Sequence, residues 1–228
     1  HDRRNCPLRN ASRVSEVVEV TGDRQNAVFA SPVLTPVQRP RPQITPRVEW
    51  DECMYVLFDF ETTGGSRTDD DIIEIAAMLL GPDGVMLEDG TFQTFSRPNK
   101  KVSTFITMLT SITNDMVASA PSFSTVARDF FEFIQANVDF YATTTGKKIS
   151  HAILVAHNGN TFDIPFLLRA LERNNLLNLW TDNNLLGFSL DTLHIARDVF
   201  SNAATKPNDN KLGTLYQFFT GSELEGSH

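Results

Sequence analysis

Residues 55–65 read Y-V-L-F-D-F-E-T-T-G-G, an apolar, β-prone run that ends at a Gly-Gly turn. In a strand, successive side chains alternate faces, so residues i and i+2 point the same way. Asp59 and Glu61 therefore share one face, and Phe58 and Phe60 share the other. Carboxylates are seldom buried unless something compensates their charge. Two on one face of an apolar strand repel each other unless a cation lies between them. Hard oxygen donors at this spacing suit Mg²⁺ or Mn²⁺. The plainer alternative is that the acids mark a strand end, with Glu61 starting the turn. On this stretch alone both readings stay open.

The rest of the chain bounds the choice. Its 228 residues are enough for one good core and a tail. No apolar run approaches the roughly 20 residues that cross a bilayer, so no membrane partner is expected. The sequence opens on His1 rather than Met and stops at His228, and it reads as a piece of something longer. Cys6 and Cys53 offer neither a disulfide framework nor a Cys-His metal cluster. Net charge is −8, unevenly spread: residues 1–50 carry eight Arg against five acids, leaving 51–228 strongly acidic. An acidic globular part argues against passive nucleic-acid binding through a basic face. It leaves room for an enzyme whose acids hold divalent cations, because the metals reverse the local sign.

Residues 31–46 contain five prolines, which preclude a regular helix and favour extended chain. Residues 1–49 are expected to be a mostly disordered, Pro- and Arg-containing leader or linker. A protein partner for its proline-rich part is the functional alternative. The folded part, residues 50–228, opens with three strands: 53–61, 72–80, and a return built from 85–87 and 91–96 after the G-P-D-G turn. Residues 103–119 read as short helical turns. Ser122 caps an amphipathic helix carrying Phe123, Val126, Phe130, Ile134 and Val138 at helical spacing, followed by a polar excursion at 141–150. Residues 152–156 form a continuous apolar run, as in a strand buried on both faces. A helix with Pro165 in its first turn follows. A short strand at 188–190, a helix at 191–200 capped by Asp191, and a helix at 212–219 complete the order. Asp69, Asp70 and Asp71 read as a solvated loop.

Asp163 falls at the loop-to-helix junction beyond the fourth strand. If the first and fourth strands are neighbours, Asp59, Glu61 and Asp163 face one cleft. Three such carboxylates suit two divalent ions about 3.5–4 Å apart, one activating water and one stabilising the leaving oxygen.

The segments F-D-F-E-T-T-G, I-I-E-I-A-A, L-T-S-I-T-N-D-M-V, L-V-A-H-N-G-N-T-F-D-I-P-F-L, L-D-T-L-H-I-A-R and K-L-G-T-L-Y-Q-F-F-T-G occur in this order. Together they resemble the DEDDh (DnaQ-like) 3′→5′ exonuclease family, over residues 52–228. The wording of residues 156–167 is similar to the three-prime repair exonuclease branch. The resemblance implies an α/β, ribonuclease H-like fold: a mixed five-stranded sheet of order 3-2-1-4-5, flanked by helices. It implies Asp59, Glu61 and Asp163 as metal ligands for Mg²⁺ or Mn²⁺. His228 matches the histidine that deprotonates the attacking water, a task suited to an imidazole near neutral pH. Thr62, Thr63 and Gly64 match the turn that approaches the 3′-terminal nucleotide, and Asn158 lines the same cleft. His157 is expected to hold the strand-to-helix turn.

What the resemblance implies as function is metal-dependent hydrolysis of terminal phosphodiesters of single-stranded DNA or RNA, releasing nucleoside 5′-monophosphates. The setting is intracellular DNA repair or proofreading. One departure qualifies it: the family's fourth acid lies five residues beyond its motif histidine, and this sequence stops at that histidine. The competing expectation is a catalytically incomplete module of the same fold that binds nucleic-acid ends or a protein partner.

Overall fold

The computed structural model of the protein describes residues 48–224. The leader reading for 1–49 falls almost wholly outside the described residues, and so does His228. After a single turn of 3₁₀ helix at Trp50–Glu52 the chain enters β1 (Cys53–Thr62), β2 (Ile72–Leu80) and β3 (Met86–Phe95). Helices α1 (Thr104–Thr110), α2 (Asn114–Ala118) and α3 (Phe123–Thr145) follow. Then come β4 (His151–Ala156), α4 (Asp163–Arg173), α5 (Asn178–Thr181), β5 (Ser189–Asp191), α6 (Thr192–Phe200) and α7 (Leu212–Thr220).

The strands form one mixed sheet of order β3-β2-β1-β4-β5, the order that the family resemblance implies. β1 pairs antiparallel with β2 and parallel with β4, which puts it at the centre. Antiparallel pairs close through a tight turn, whereas parallel ones need a crossover. The G-P-D-G turn and α3 supply these two kinds of connection. The alternation in β1 sorts its faces: Met54, Val56, Phe58 and Phe60 are buried in the main core. Val126, Phe130, Ile134 and Val138 of α3, and Phe166, Leu167 and Ala170 of α4, belong to the same cluster. Each of the larger buried side chains contributes about 1.5–3 kcal/mol through lost apolar exposure. A second cluster of Ile73, Val102, Ile106, Ile112 and Val117 seats α1 and α2. Ser111 ends α1 with a left-handed φ of 62°, a conformation that leaves the chain free to turn into α2.

Three readings need correction. The return strand is one element, Met86–Phe95: it pairs with β2 at Met86 and again from Thr91 to Phe95, and its polar middle bulges where the register shifts between Met78 and Leu80. Helix α3 runs to Thr145 and stops at Gly146 (φ 68°), so the first half of the supposed excursion at 141–150 is helix. Tyr141 still packs on the core there, and the polar residues beyond it face water. Asp70 and Asp71 are not solvated but buried, for reasons given below.

Candidate active site

β1 carries Asp59 and Glu61 on the face away from the core, at its C-terminal end. The parallel ladder with β4 ends at Leu57–Val155, so β1 projects beyond its neighbour. Asp163, the first residue of α4, fills the space this leaves and is only 3% exposed. The N–H of Phe60 reaches its carboxyl group. The sheet thus brings together Asp59, Glu61 and Asp163 beside one cleft, with a cavity of about 580 Å³. Thr62, Thr63, Gly64, His157 and Asn158 line it as well, and so do Phe105 and Leu109 of α1.

Electrostatically the cleft is under tension. Burial, followed by the negative charges of Asp59 and Glu74, pushes Glu61 up to about 7. Burial, then Asp59, pushes Asp163 up to about 7 despite help from two backbone N–H groups. Asp59 faces solvent over much of its surface, yet its surroundings and Glu74 still raise its carboxyl above the ordinary value. Burial is the common leading cause, and repulsion among the like charges adds to it. One oxygen of Asp163, Oδ1, is buried with no hydrogen-bond partner among the described residues. Such an atom costs about 1–3 kcal/mol unless something binds it.

This donor set fits a divalent cation. The oxygens are hard, the charges are the right sign, and the orphaned Oδ1 lacks only a positive partner. Among the described residues no three His, Cys, Asp or Glu side chains are gathered into a ready cage.

The turn at residues 62–64 is held by a polar web. Thr62 Oγ1 donates to the Gly64 carbonyl at 2.7 Å. Thr63 donates its N–H to the Asp71 carbonyl (2.9 Å) and its hydroxyl to Asp70 Oδ1 (3.0 Å), and accepts the Asp71 N–H (2.9 Å). Thr63 therefore shapes the cleft wall while its donors are already engaged. Asp70 also accepts the Ser66 N–H and pairs with Lys100. Burial raises the Asp70 carboxyl, but Lys100, Ser66 and Thr63 outweigh it and hold it below the ordinary range. A Cβ on Gly64 would lie 2.5 Å from Asp70 Oδ2. Because that carboxylate is pinned, Gly64→Ala is expected to cost about 1–3 kcal/mol, read as a lowered Tm in a thermal melt. An unchanged Tm would show that Asp70 can swing aside.

On the β4 side, Asn158 adopts φ 63°, which asparagine tolerates better than most residues. Its N–H and that of Asn160 are donated to the Asp191 carboxylate at 2.9 and 3.2 Å. His157 Nδ1 lies 2.9 Å from Thr192 Oγ1, consistent with its expected structural role. Sequence reasoning missed one residue and one role. Asp191 caps α6, as expected, but it also holds the Asn158 turn. Glu74 lies opposite Glu61 in the β1–β2 register, and Gln93 Nε2 donates to it at 2.8 Å. Its place inside I-I-E-I-A-A, an acid in an apolar strand, was the available signal.

The family model for exonucleases (RNase_T) matches residues 56–224. Among curated relatives, the PolC-type DNA polymerase III of Caldanaerobacter subterraneus subsp. tengcongensis is 35% identical over 165 residues, 72% of this chain. The chain spans about a tenth of that relative's length. Among solved structures, E. coli exonuclease I in complex with a dT13 oligonucleotide superposes with a TM-score of 0.60 at 13% identity, covering 77% of this chain and 37% of that one. A zinc-ion-bound form of the same enzyme with single-stranded DNA gives 0.59 at 14% identity, with the same coverage.

Proposed function

This chain belongs to the RNase_T exonuclease family, and on that premise we propose that it removes nucleotides from the 3′ end of single-stranded nucleic acid as nucleoside 5′-monophosphates. The observation that carries the proposal is the buried, unpartnered Oδ1 of Asp163 set beside Asp59 and Glu61. In this reading Asp59, Glu61 and Asp163 hold Mg²⁺ or Mn²⁺. The cation supplies Lewis acidity toward the phosphate and a more acidic water. The chain's own groups do the rest. The turn of Thr62, Thr63 and Gly64 receives the terminal nucleotide. Phe105, 71% exposed, and Leu109 offer apolar surface on which a base can stack. Asn158 walls the opposite side. His228 takes the proton from the attacking water at its imidazole. Residues 50–228 are the exonuclease domain and 1–49 its leader. DNA is favoured over RNA because the relatives include a DNA polymerase and an enzyme crystallised with dT13.

The test uses the full-length protein on matched, 5′-labelled DNA and RNA oligonucleotides with Mg²⁺, Mn²⁺ or EDTA. A ladder shortening from the 3′ end is expected with metal and not with EDTA. Asp59→Ala should slow trimming by about 10³-fold or more, equivalent to about 4 kcal/mol of barrier, with an unaltered circular dichroism spectrum. Undiminished trimming by that variant would overturn the assignment. Binding of 3′ ends without any turnover would favour the module reading instead.

A further inference from the structure

Arg173 is the last residue of α4, the helix that begins with Asp163. Its guanidinium does not serve the helix. Nη1 donates to the carbonyls of Asp70 (2.8 Å), Thr68 (3.0 Å) and Arg67 (3.4 Å), and Nη2 donates to the Asp71 carboxylate at 2.5 Å. The side chain is 23% exposed and its Asp71 partner 11%, so this is no loose surface pair. Asp71 Oδ2 in turn accepts the Asn99 N–H at 2.8 Å. At the other end of the helix, Arg67 donates to the Thr161 carbonyl, just before α4 starts. The loop at residues 66–71 is therefore tied to both ends of α4.

That same loop grips the 62–64 turn through Asp70 and Asp71, by the three Thr63 hydrogen bonds and the close approach of Asp70 to Gly64. Contact runs without a gap from α4 through Arg173 and the loop to the wall of the cleft. We propose that Arg173 is a positioning residue: it fixes the 62–64 turn relative to Asp163 and so sets where the 3′-terminal nucleotide lies against the acids. The inference rests on the reading of the cleft given under Proposed function. Arg173 touches no substrate and acts only through the loop. A planar five-donor fork can bind three carbonyls and a carboxylate at once, whereas a lysine ammonium acts as a single point.

The experiment compares Arg173→Met and Arg173→Lys with Arg169→Met in the full-length protein. Arg169 lies on the same helix but, among the described residues, pairs with Glu172 at the surface. Expected for both Arg173 variants is a KM for oligonucleotide raised about 10-fold or more, with kcat changed far less. Affinity for a nucleoside 5′-monophosphate in the presence of Mn²⁺ should weaken in parallel, while Mn²⁺ binding alone stays unchanged. Arg169→Met should match the wild type throughout. If Arg173→Met does not fold, Arg173→Lys carries the test, since it keeps charge and stem and loses only the fork. Wild-type KM and monophosphate affinity in Arg173→Lys, even with a lowered Tm, would make Arg173 a scaffold residue and overturn the proposal. A wild-type protein that neither trims 3′ ends nor binds the monophosphate would overturn the cleft reading, and this inference with it.

Discussion

Asp163→Asn is expected to abolish trimming and, in metal-free protein, to raise stability. The first effect follows from losing one of three anionic donors, and about 10³-fold or more is expected, or about 4 kcal/mol of barrier. The second follows from the tension in the cleft. Burial and the charge of Asp59 push the Asp163 carboxyl from its ordinary 3.8 up to about 7 in the folded protein. A raised carboxyl favours the fold while it is protonated. Its contribution is complete below about pH 4, where both states hold the proton, and is lost as pH rises toward 7. Over that window the loss is about 2–4 kcal/mol, taking 1.36 kcal/mol for each unit. An asparagine carries no proton to lose. With EDTA at pH 8 the variant should therefore melt about 5–10 °C higher than the wild type, and the gap should shrink as pH is lowered toward 5. Adding Mg²⁺ or Mn²⁺ should raise the wild-type Tm and leave the variant's nearly unmoved. Equal melting curves across pH in EDTA would remove the electrostatic argument. Retained trimming would remove the ligand role.

Asp191→Ala is expected to act in the opposite direction. Asp191 is also 3% exposed, yet its carboxyl is held below the ordinary range. Burial pushes it up, but the N–H groups of Asn160, Leu193 and Asn158 outweigh that. Those bonds are 3.2, 3.0 and 2.9 Å long. Removing the carboxylate leaves α6 without its cap and frees the backbone that holds Asn158 at positive φ. A loss of about 2–4 kcal/mol is expected, or a Tm lower by about 5–15 °C. A depressed carboxyl stabilises the fold above its unfolded value of about 3.8 and loses that contribution only as pH falls through its folded value. The difference between wild type and variant should thus hold from pH 5 to 8 and close only in stronger acid. A variant that melts within a degree or two of the wild type at pH 7 would refute the dual role.

The sequence by itself determined the sheet and the polarity of its central strand. Alternation in residues 55–61 put Asp59 and Glu61 on one face and two phenylalanines in the core, and strand alternation is local enough to be read from neighbours. The start of α4 at Asp163 was legible from Pro165 in its first turn, whereas the strand order came from the resemblance carried by the ordered motifs, not from any local pattern. The 3.6-residue repeat found α3 but not its end, because the tail of that helix is polar and only Gly146 marks the stop. What the tertiary structure decided is the state of each buried acid. Asp163, Asp191 and Asp70 are all buried aspartates. One lacks a partner for an oxygen, one is saturated by peptide N–H groups, and one is paired with a lysine. No local pattern separates them, because deciding partners come from other segments: Asn158 and Asn160 for Asp191, and Lys100 for Asp70. A carboxylate's charge costs or contributes according to what faces it across the fold, and that is decided only when the chain is packed.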